Sequence, residues 1–214
     1  MARTRNNKMT TIKNPEKYVL PLNFYRRDTI SAARALLGKI LIKKVNGKWA
    51  GGYIVETEAY LGSDDPACHA AGGKITDRNR VMFGPPGLSY VYFIYGMYYC
   101  VNVVAFNEEN ERAGAVLIRA LEPVFDIVGM KKRRKTEALE ELTNGPGKLC
   151  QALNITREDN ARKLDEGNLL IIDLPGERRP VIESACRIGI RRGCELPLRF
   201  FCKDNPFISK HKKG

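Results

Sequence analysis

Glu56, Thr57, Glu58, Ala59 and Tyr60 form the acidic run ETEAY. In a strand, side chains alternate, so Glu56, Glu58 and Tyr60 share one face. Tyr53, Val55, Thr57 and Ala59 then share the other. Two carboxylates and an aromatic ring on one face suit a hydrolysis: one acid activates water while the ring holds a flat substrate. The competing reading is an exposed strand face carrying ordinary solvated charge.

A second run, Tyr90–Tyr99, holds five tyrosines in ten residues. Aromatic residues suit pleated surfaces, so most of this is strand composition. Its centre is different. Gly96-Met97 suits a tight turn with glycine first, which puts Tyr95, Met97 and Tyr98 at or beside a hairpin tip. An apolar tip is either a wedge pushed between stacked bases or a surface buried against the protein itself. Arg119 stands inside the apolar run Val116–Leu121, and a buried arginine there requires a carboxylate or another anion. Asn102 within a strand satisfies a neighbouring loop or faces a ligand. His69 lies in a long irregular segment, where surface placement is the plain reading. Lys131–Lys135 reads as a solvated helix face with some DNA contact. Gly145-Pro146-Gly147-Lys148 opens a helix, whose N-terminus can take a phosphate or simply pack.

Composition narrows the partners. The 214 residues carry 36 Lys plus Arg against 24 Asp plus Glu, a net charge of +12. Such a surface suits a polyanion, nucleic acid first and anionic membrane second; a protein that is merely basic is the alternative. No run of 18 apolar residues appears, so no membrane span is expected, and the charged N-terminus is not followed by a signal-like apolar stretch. The six cysteines form no Cys-x-x-Cys pair and the only histidines are His69 and His211. That is a poor ligand set for zinc, so no metal and no cofactor are expected. Reduced thiols and compact length fit a bacterial cytoplasmic protein.

The elements that would position these residues can be read in order. Residues 1–17 read as a flexible basic arm and 208–214 as a basic tail, with one domain over 18–207. Asp28 caps a helix with the stripe Ile30, Ala33, Leu36 and Leu37, ended by Gly38. Ile40-Leu41-Ile42, the Asn46-Gly47 turn and Trp49–Tyr60 make a hairpin. Residues 62–87 form a long loop, a feature usually tied to function. A second hairpin follows: Leu88–Tyr95, the Gly96-Met97 turn and Tyr98–Phe106. Ala115–Leu121 is another strand, and Pro123 opens a helix running into Lys131–Lys135. Leu149, Ala152 and Leu153 mark a short helix, and short strands and loops complete the chain. One α+β domain is the simplest architecture.

Taken together, these segments resemble the alkyladenine (3-methyladenine) DNA glycosylase family, over roughly residues 24–207. The resemblance rests on separated stretches in a fixed order: Ala33–Gly38, IVETEAYLG at 54–62, the His69 loop with Arg78-Asn79-Arg80, YVYFIYGMYYCVN at 90–102, LIRALEP at 117–123, GPGKLCQAL at 145–153 and PLRFF at 197–201. It implies a mixed, curved antiparallel sheet flanked by helices, with a protruding hairpin that inserts into DNA. It implies Glu58 as the base that activates water, helped by Arg119 and the backbone carbonyl of Ile188. Tyr60 and His69 would pack on one side of an extruded base and Tyr92 on the other. Tyr95 would be the wedge, with Met97 beside it, and Asn102 would crowd the 2-amino group of guanine. Cys68 and Val101, beside His69 and Asn102, depart from the family's pattern.

The implied activity is that of a monomeric, monofunctional DNA glycosylase of base excision repair. It would flip alkylated or deaminated purines (3-methyladenine, 7-methylguanine, hypoxanthine, ethenoadenine) out of double-stranded DNA and hydrolyse the N-glycosidic bond, without lyase chemistry. Two alternatives stand beside it. A helix–hairpin–helix lyase would work through a lysine Schiff base. A non-enzymatic nucleic-acid-binding module would use the basic surface and the tyrosines, but gives no reason for an acid on the aromatic face.

Overall fold

The computed structural model describes residues 14–105, 113–176 and 179–209. Its frame is an antiparallel sheet of eight strands: β1 (Ile40–Val45), β2 (Lys48–Tyr60), β3 (Ser89–Ile94), β4 (Tyr98–Val104), β5 (Ala115–Phe125), β6 (Leu169–Ile172), β7 (Ile182–Ala185) and β8 (Arg199–Cys202). The order is β3-β4-β5-β2-β1-β6, with β8 pairing β2 and β7. Three α-helices accompany it: α1 (Thr29–Leu36), α2 (Ile127–Arg134) and α3 (Pro146–Leu153).

Strand β2 is the hub. Its first half pairs β1 from Lys48 to Tyr53, its second half pairs β8 over Glu56–Glu58, and β5 runs along its other edge. Register shifts at Ile54/Glu56 and Glu56/Thr57 bend the strand where it changes partners, as extra residues in a ladder do. The Asn46-Gly47 turn forms as expected, with φ of 48° and 77°. Asp28 caps α1 by accepting from the Ser31 amide. Ile54, Ile118 and Leu121 are fully buried in the main core, each worth about 1.5–3 kcal/mol of apolar transfer.

Two expectations are corrected. Pro123 does not open a helix; it lies inside β5, opposite Gly52 at a register shift. A missing amide is tolerated there because the ladder is interrupted at that shift; β2 also comes close, since a Cβ on Gly52 would lie 2.1 Å from the Glu122 carbonyl oxygen. Helix α2 starts four residues later, at Ile127, capped by Asp126. The second turn is also shifted by one residue. Tyr95 and Gly96 carry the positive φ values, 53° and 68°, as the central pair of a type I′ turn does. The Met97 amide closes it on the Ile94 carbonyl at 3.3 Å.

At the N-terminal side, Pro15–Tyr18 forms a 3-10 turn with Pro15 buried, and Val19 bridges to Ile172. At the other end Ile208 packs against the core. The rest of the expected arm and tail, residues 1–13 and 210–214, lies outside the described residues, as does Phe106. Lys131–Lys135 ends α2, and two of its arginines turn inward. Arg133 pairs with Asp126 and donates to the Ala152 carbonyl, while Arg134 donates to the Leu142 carbonyl.

Candidate active site

Strand β2 delivers Glu56 and Glu58 to the same face, and both are fully buried. A solvated strand face is therefore excluded. Glu58 accepts from the Ile188 amide on Oε1 at 2.7 Å and from the Tyr60 hydroxyl on Oε2 at 2.9 Å. Arg119, brought alongside by β5, places Nη1 3.3 Å from Glu58 Oε1 and Nε 3.4 Å from Glu56 Oε1. Glu56 accepts further from Arg199 Nη1 at 2.9 Å and the Ser209 amide at 2.7 Å. One guanidinium thus bridges the two acids. Burial works against the charge on Arg119, but Glu58 and Glu56 outweigh it and hold the guanidinium protonated. Burial, reinforced by the Glu58 charge and hydrogen bond, keeps the Tyr60 phenol protonated, so its hydroxyl donates.

Above Glu58 lies a cavity of about 340 Å³, within the usual range of ~300–1,000 Å³ for small-molecule sites. Its lining brings together Tyr60, His69, Tyr92, Asn102, Arg119 and Ile188, with Tyr95 and Tyr98 from the hairpin. Three of these, Tyr60, Arg119 and Ile188, are the contacts of Glu58. Among rings, the grouping differs from the expected one. His69 stands edge-on to Tyr92 with centroids 4.6 Å apart, and Tyr90 lies 5.3 Å from Tyr92. His69 therefore belongs with the Tyr92 cluster, not beside Tyr60. The reason is local: His69 Nδ1 and the Tyr90 hydroxyl lie 2.8 Å apart, which ties the ring to β3.

The long loop that carries His69 is held by Asn79. Its side-chain amide donates to the carbonyls of His69 at 2.8 Å and Lys74 at 2.9 Å. Its oxygen accepts from the amide of Thr76 at 2.6 Å. Burial, aided by the nearby Arg78 charge, lowers the His69 pKa to about 4, so the ring is neutral at pH 7. Asn102 is buried and donates from Nδ2 to the Tyr90 carbonyl at 2.9 Å, which fixes its side chain at the cavity wall.

Sequence reasoning missed one buried pair. Arg187 forks onto Asp65 at 2.5 and 2.8 Å and donates to the Ala59 carbonyl at 2.9 Å. Its guanidinium carbon stands 4.7 Å from the centroid of the Tyr60 ring. Asp65 in turn accepts from the amides of Leu61 and Ala67. The pair therefore ties the end of β2 and the start of the His69 loop to the segment that presents the Ile188 amide. Breaking such a buried pair by removing one partner costs about 3–5 kcal/mol. Its signal was faint, because Arg187 sits in the basic stretch RIGIRRG and reads as surface charge.

At the hairpin tip Tyr95 is 76% exposed and Met97 65% exposed, with Phe93 and Tyr98 also exposed. The tip is not buried against the protein. The resemblance gives the Ile188 carbonyl to the attacking water; the bond that Ile188 makes to Glu58 itself comes from its amide. No group of three or more His, Cys, Asp or Glu able to hold a metal occurs among the described residues. None of the described helices is long and apolar enough to cross a membrane.

A buried carboxylate thus lies beside an aromatic cavity, flanked by an exposed apolar hairpin on a basic chain. The profile of the methylpurine-DNA glycosylase family matches residues 23–206, and the chain belongs to that family. A relative from Carboxydothermus hydrogenoformans, named "Putative 3-methyladenine DNA glycosylase", is 50% identical over 196 residues, covering 90% of this chain and 99% of its own. One of the same name from Clostridium botulinum is 43% identical over 203 residues, covering 90% and 99%. Membership places the chain among the hydrolases of DNA base excision repair, with DNA as the macromolecule it acts on.

Proposed function

We propose that this chain is a monomeric, monofunctional glycosylase that extrudes alkylated or deaminated purines from duplex DNA and hydrolyses the N-glycosidic bond with a water activated by Glu58. The observation that carries the reading is the set of donors on Glu58. Ile188 and Tyr60 each take a lone pair, Arg119 offsets the charge, and an ionised carboxylate with about four acceptor sites keeps one for water. Glycosidic hydrolysis passes through an oxocarbenium-like sugar, which a nearby carboxylate stabilises while it takes the proton of the attacking water. A carboxylate, not an amine, is held under the cavity; a Schiff-base lyase would need the amine.

The remaining parts take roles in the same reading. Stacked bases hide the glycosidic bond, so the nucleotide must leave the helix, at a few kcal/mol, less for damaged pairs. Tyr95, with Met97 beside it, fills the space left behind. The extruded base lies between the Tyr60 ring and the Tyr92–His69 cluster, and Asn102 crowds a 2-amino group. The net charge of +12 draws the chain to the phosphate backbone. It acts where chromosomal DNA is, in the bacterial cytoplasm.

The test is release of free base. Duplexes carrying 3-methyladenine, 7-methylguanine, hypoxanthine or ethenoadenine are incubated with the purified chain. Free base plus intact abasic DNA is the expected product. Binding to these duplexes without release of any base would overturn the reading in favour of a nucleic-acid-binding module, and strand cleavage with borohydride trapping would point to a lyase.

A further inference from the structure

Both rings expected to hold the base carry an arginine on them. Arg187 stands 4.7 Å from the Tyr60 centroid and Arg78 stands 5.2 Å from the Tyr92 centroid. Neither arginine lines the cavity, whereas both rings do, so each cation covers its ring from outside. The two differ in compensation. Arg187 is neutralised by the buried Asp65. Among the described residues no carboxylate pairs with Arg78, which is exposed. A ring that already donates its negative face to one cation is a poorer partner for a second on its other face, and the two cations repel across it.

We propose that Arg78 is a specificity-determining residue: its uncompensated charge behind Tyr92 biases the cavity toward neutral purine lesions and against cationic, ring-alkylated ones. This rests on the glycosylase reading of the same site. The other charges near the cavity do not reverse the bias. Arg119 and Arg199 are matched by Glu58 and Glu56, Arg187 by Asp65, and His69 is neutral at pH 7. The aromatic cavity alone would favour a cationic base, which is the usual expectation for electron-rich walls. Arg78 acts against it.

The experiment isolates charge from shape. Two duplexes are compared, one with 7-methylguanine, a cation, and one with its neutral isostere 7-methyl-7-deazaguanine. Binding is measured in a Glu58→Gln background, so that neither base is removed. Arg78→Gln should shift the ratio of the two Kd values about two- to fivefold toward the cation, as loss of one exposed cation–π partner allows. Arg78→Lys should hold the original ratio. If Arg78→Gln weakens both duplexes equally, Arg78 is a phosphate contact and the proposal fails. If the protein with Glu58 intact releases no base from any lesion, and both lesion duplexes bind like undamaged DNA, the glycosylase reading itself fails. Release of base with an unmoved Kd ratio overturns the Arg78 role alone.

Discussion

The Ile188 amide donates to Glu58 Oε1 at 2.7 Å across 130 positions of sequence. With the Tyr60 hydroxyl on Oε2, the two bonds fix the carboxylate from opposite oxygens, so its orientation does not depend on substrate. Removing the charge should leave this frame standing while abolishing proton transfer. Glu58→Gln is expected to lower single-turnover excision by at least about a hundredfold, in line with general-base contributions, with lesion-DNA binding retained. Glu56→Gln should chiefly lower Tm, because Glu56 is taken up by Arg199, Arg119 and the Ser209 amide. Normal cleavage by Glu58→Gln together with inactive Glu56→Gln would exchange the two roles.

Tyr95 tests the wedge apart from the chemistry. Its ring is exposed and its backbone is left-handed, φ 53°. Base–aromatic stacking is worth about 1–3 kcal/mol, so Tyr95→Ala should lower the flipped population by roughly ten- to a hundredfold. A fluorescent base analogue at the lesion reads this directly, and a single-stranded substrate should suffer less. Tyr95→Gly should flip as poorly as Tyr95→Ala yet be more stable by about 1 kcal/mol, because glycine accepts positive φ without strain. Full flipping by Tyr95→Ala would remove the wedge.

Asn102 is held at the cavity wall by its bond to the Tyr90 carbonyl. Asn102→Ser shortens the side chain and makes room for a 2-amino group. Excision of guanine-type bases relative to hypoxanthine should rise roughly tenfold, within the ~1–3 kcal/mol that one small group is worth in a pocket. An unchanged ratio would move the discrimination to another residue.

The expected rings and acid were legible because strand alternation and turn chemistry are local. Alternation put Glu56 and Glu58 on one face, and Asn46-Gly47 located the turn that aligns them. Pro123 misleads for the same reason: a proline reads locally as a helix start, and only the register shift across the ladder at Gly51/Gly52 shows why a strand can hold it. Glycine suits the first position of a tight turn, which points to Gly96-Met97, whereas the positive φ values fall on Tyr95 and Gly96. The Asp65–Arg187 pair spans 122 positions, and no spacing rule connects them. The Ile188 amide is a backbone group, so residue type carries no trace of it.

His69 offers a pH test. Its pKa falls from an ordinary 6.5 to about 4 in the folded chain. Above pH 6.5 both states are neutral and the contribution to stability is complete. As pH falls from about 6.5 toward 4, the unfolded chain binds the proton first, so stability is lost across that window. NMR titration of a His211→Asn variant, which leaves one histidine, should show the His69 ring neutral down to about pH 5. A midpoint near 6.5 would mean that the ring is not buried as described.

Helix α3 meets the hairpin at Gly147, where a Cβ would lie 2.9 Å from the Tyr98 ring. The flank of the turn, at Tyr98, is thus seated against a helix, while Tyr95 and Met97 stay exposed. A projecting segment normally loses conformational freedom when it docks, and that loss subtracts from affinity. Here the ordering is completed during folding. In the proposed reading, DNA would meet a tip already in shape, and most of the entropy lost on binding would be that of the nucleotide which leaves the stack.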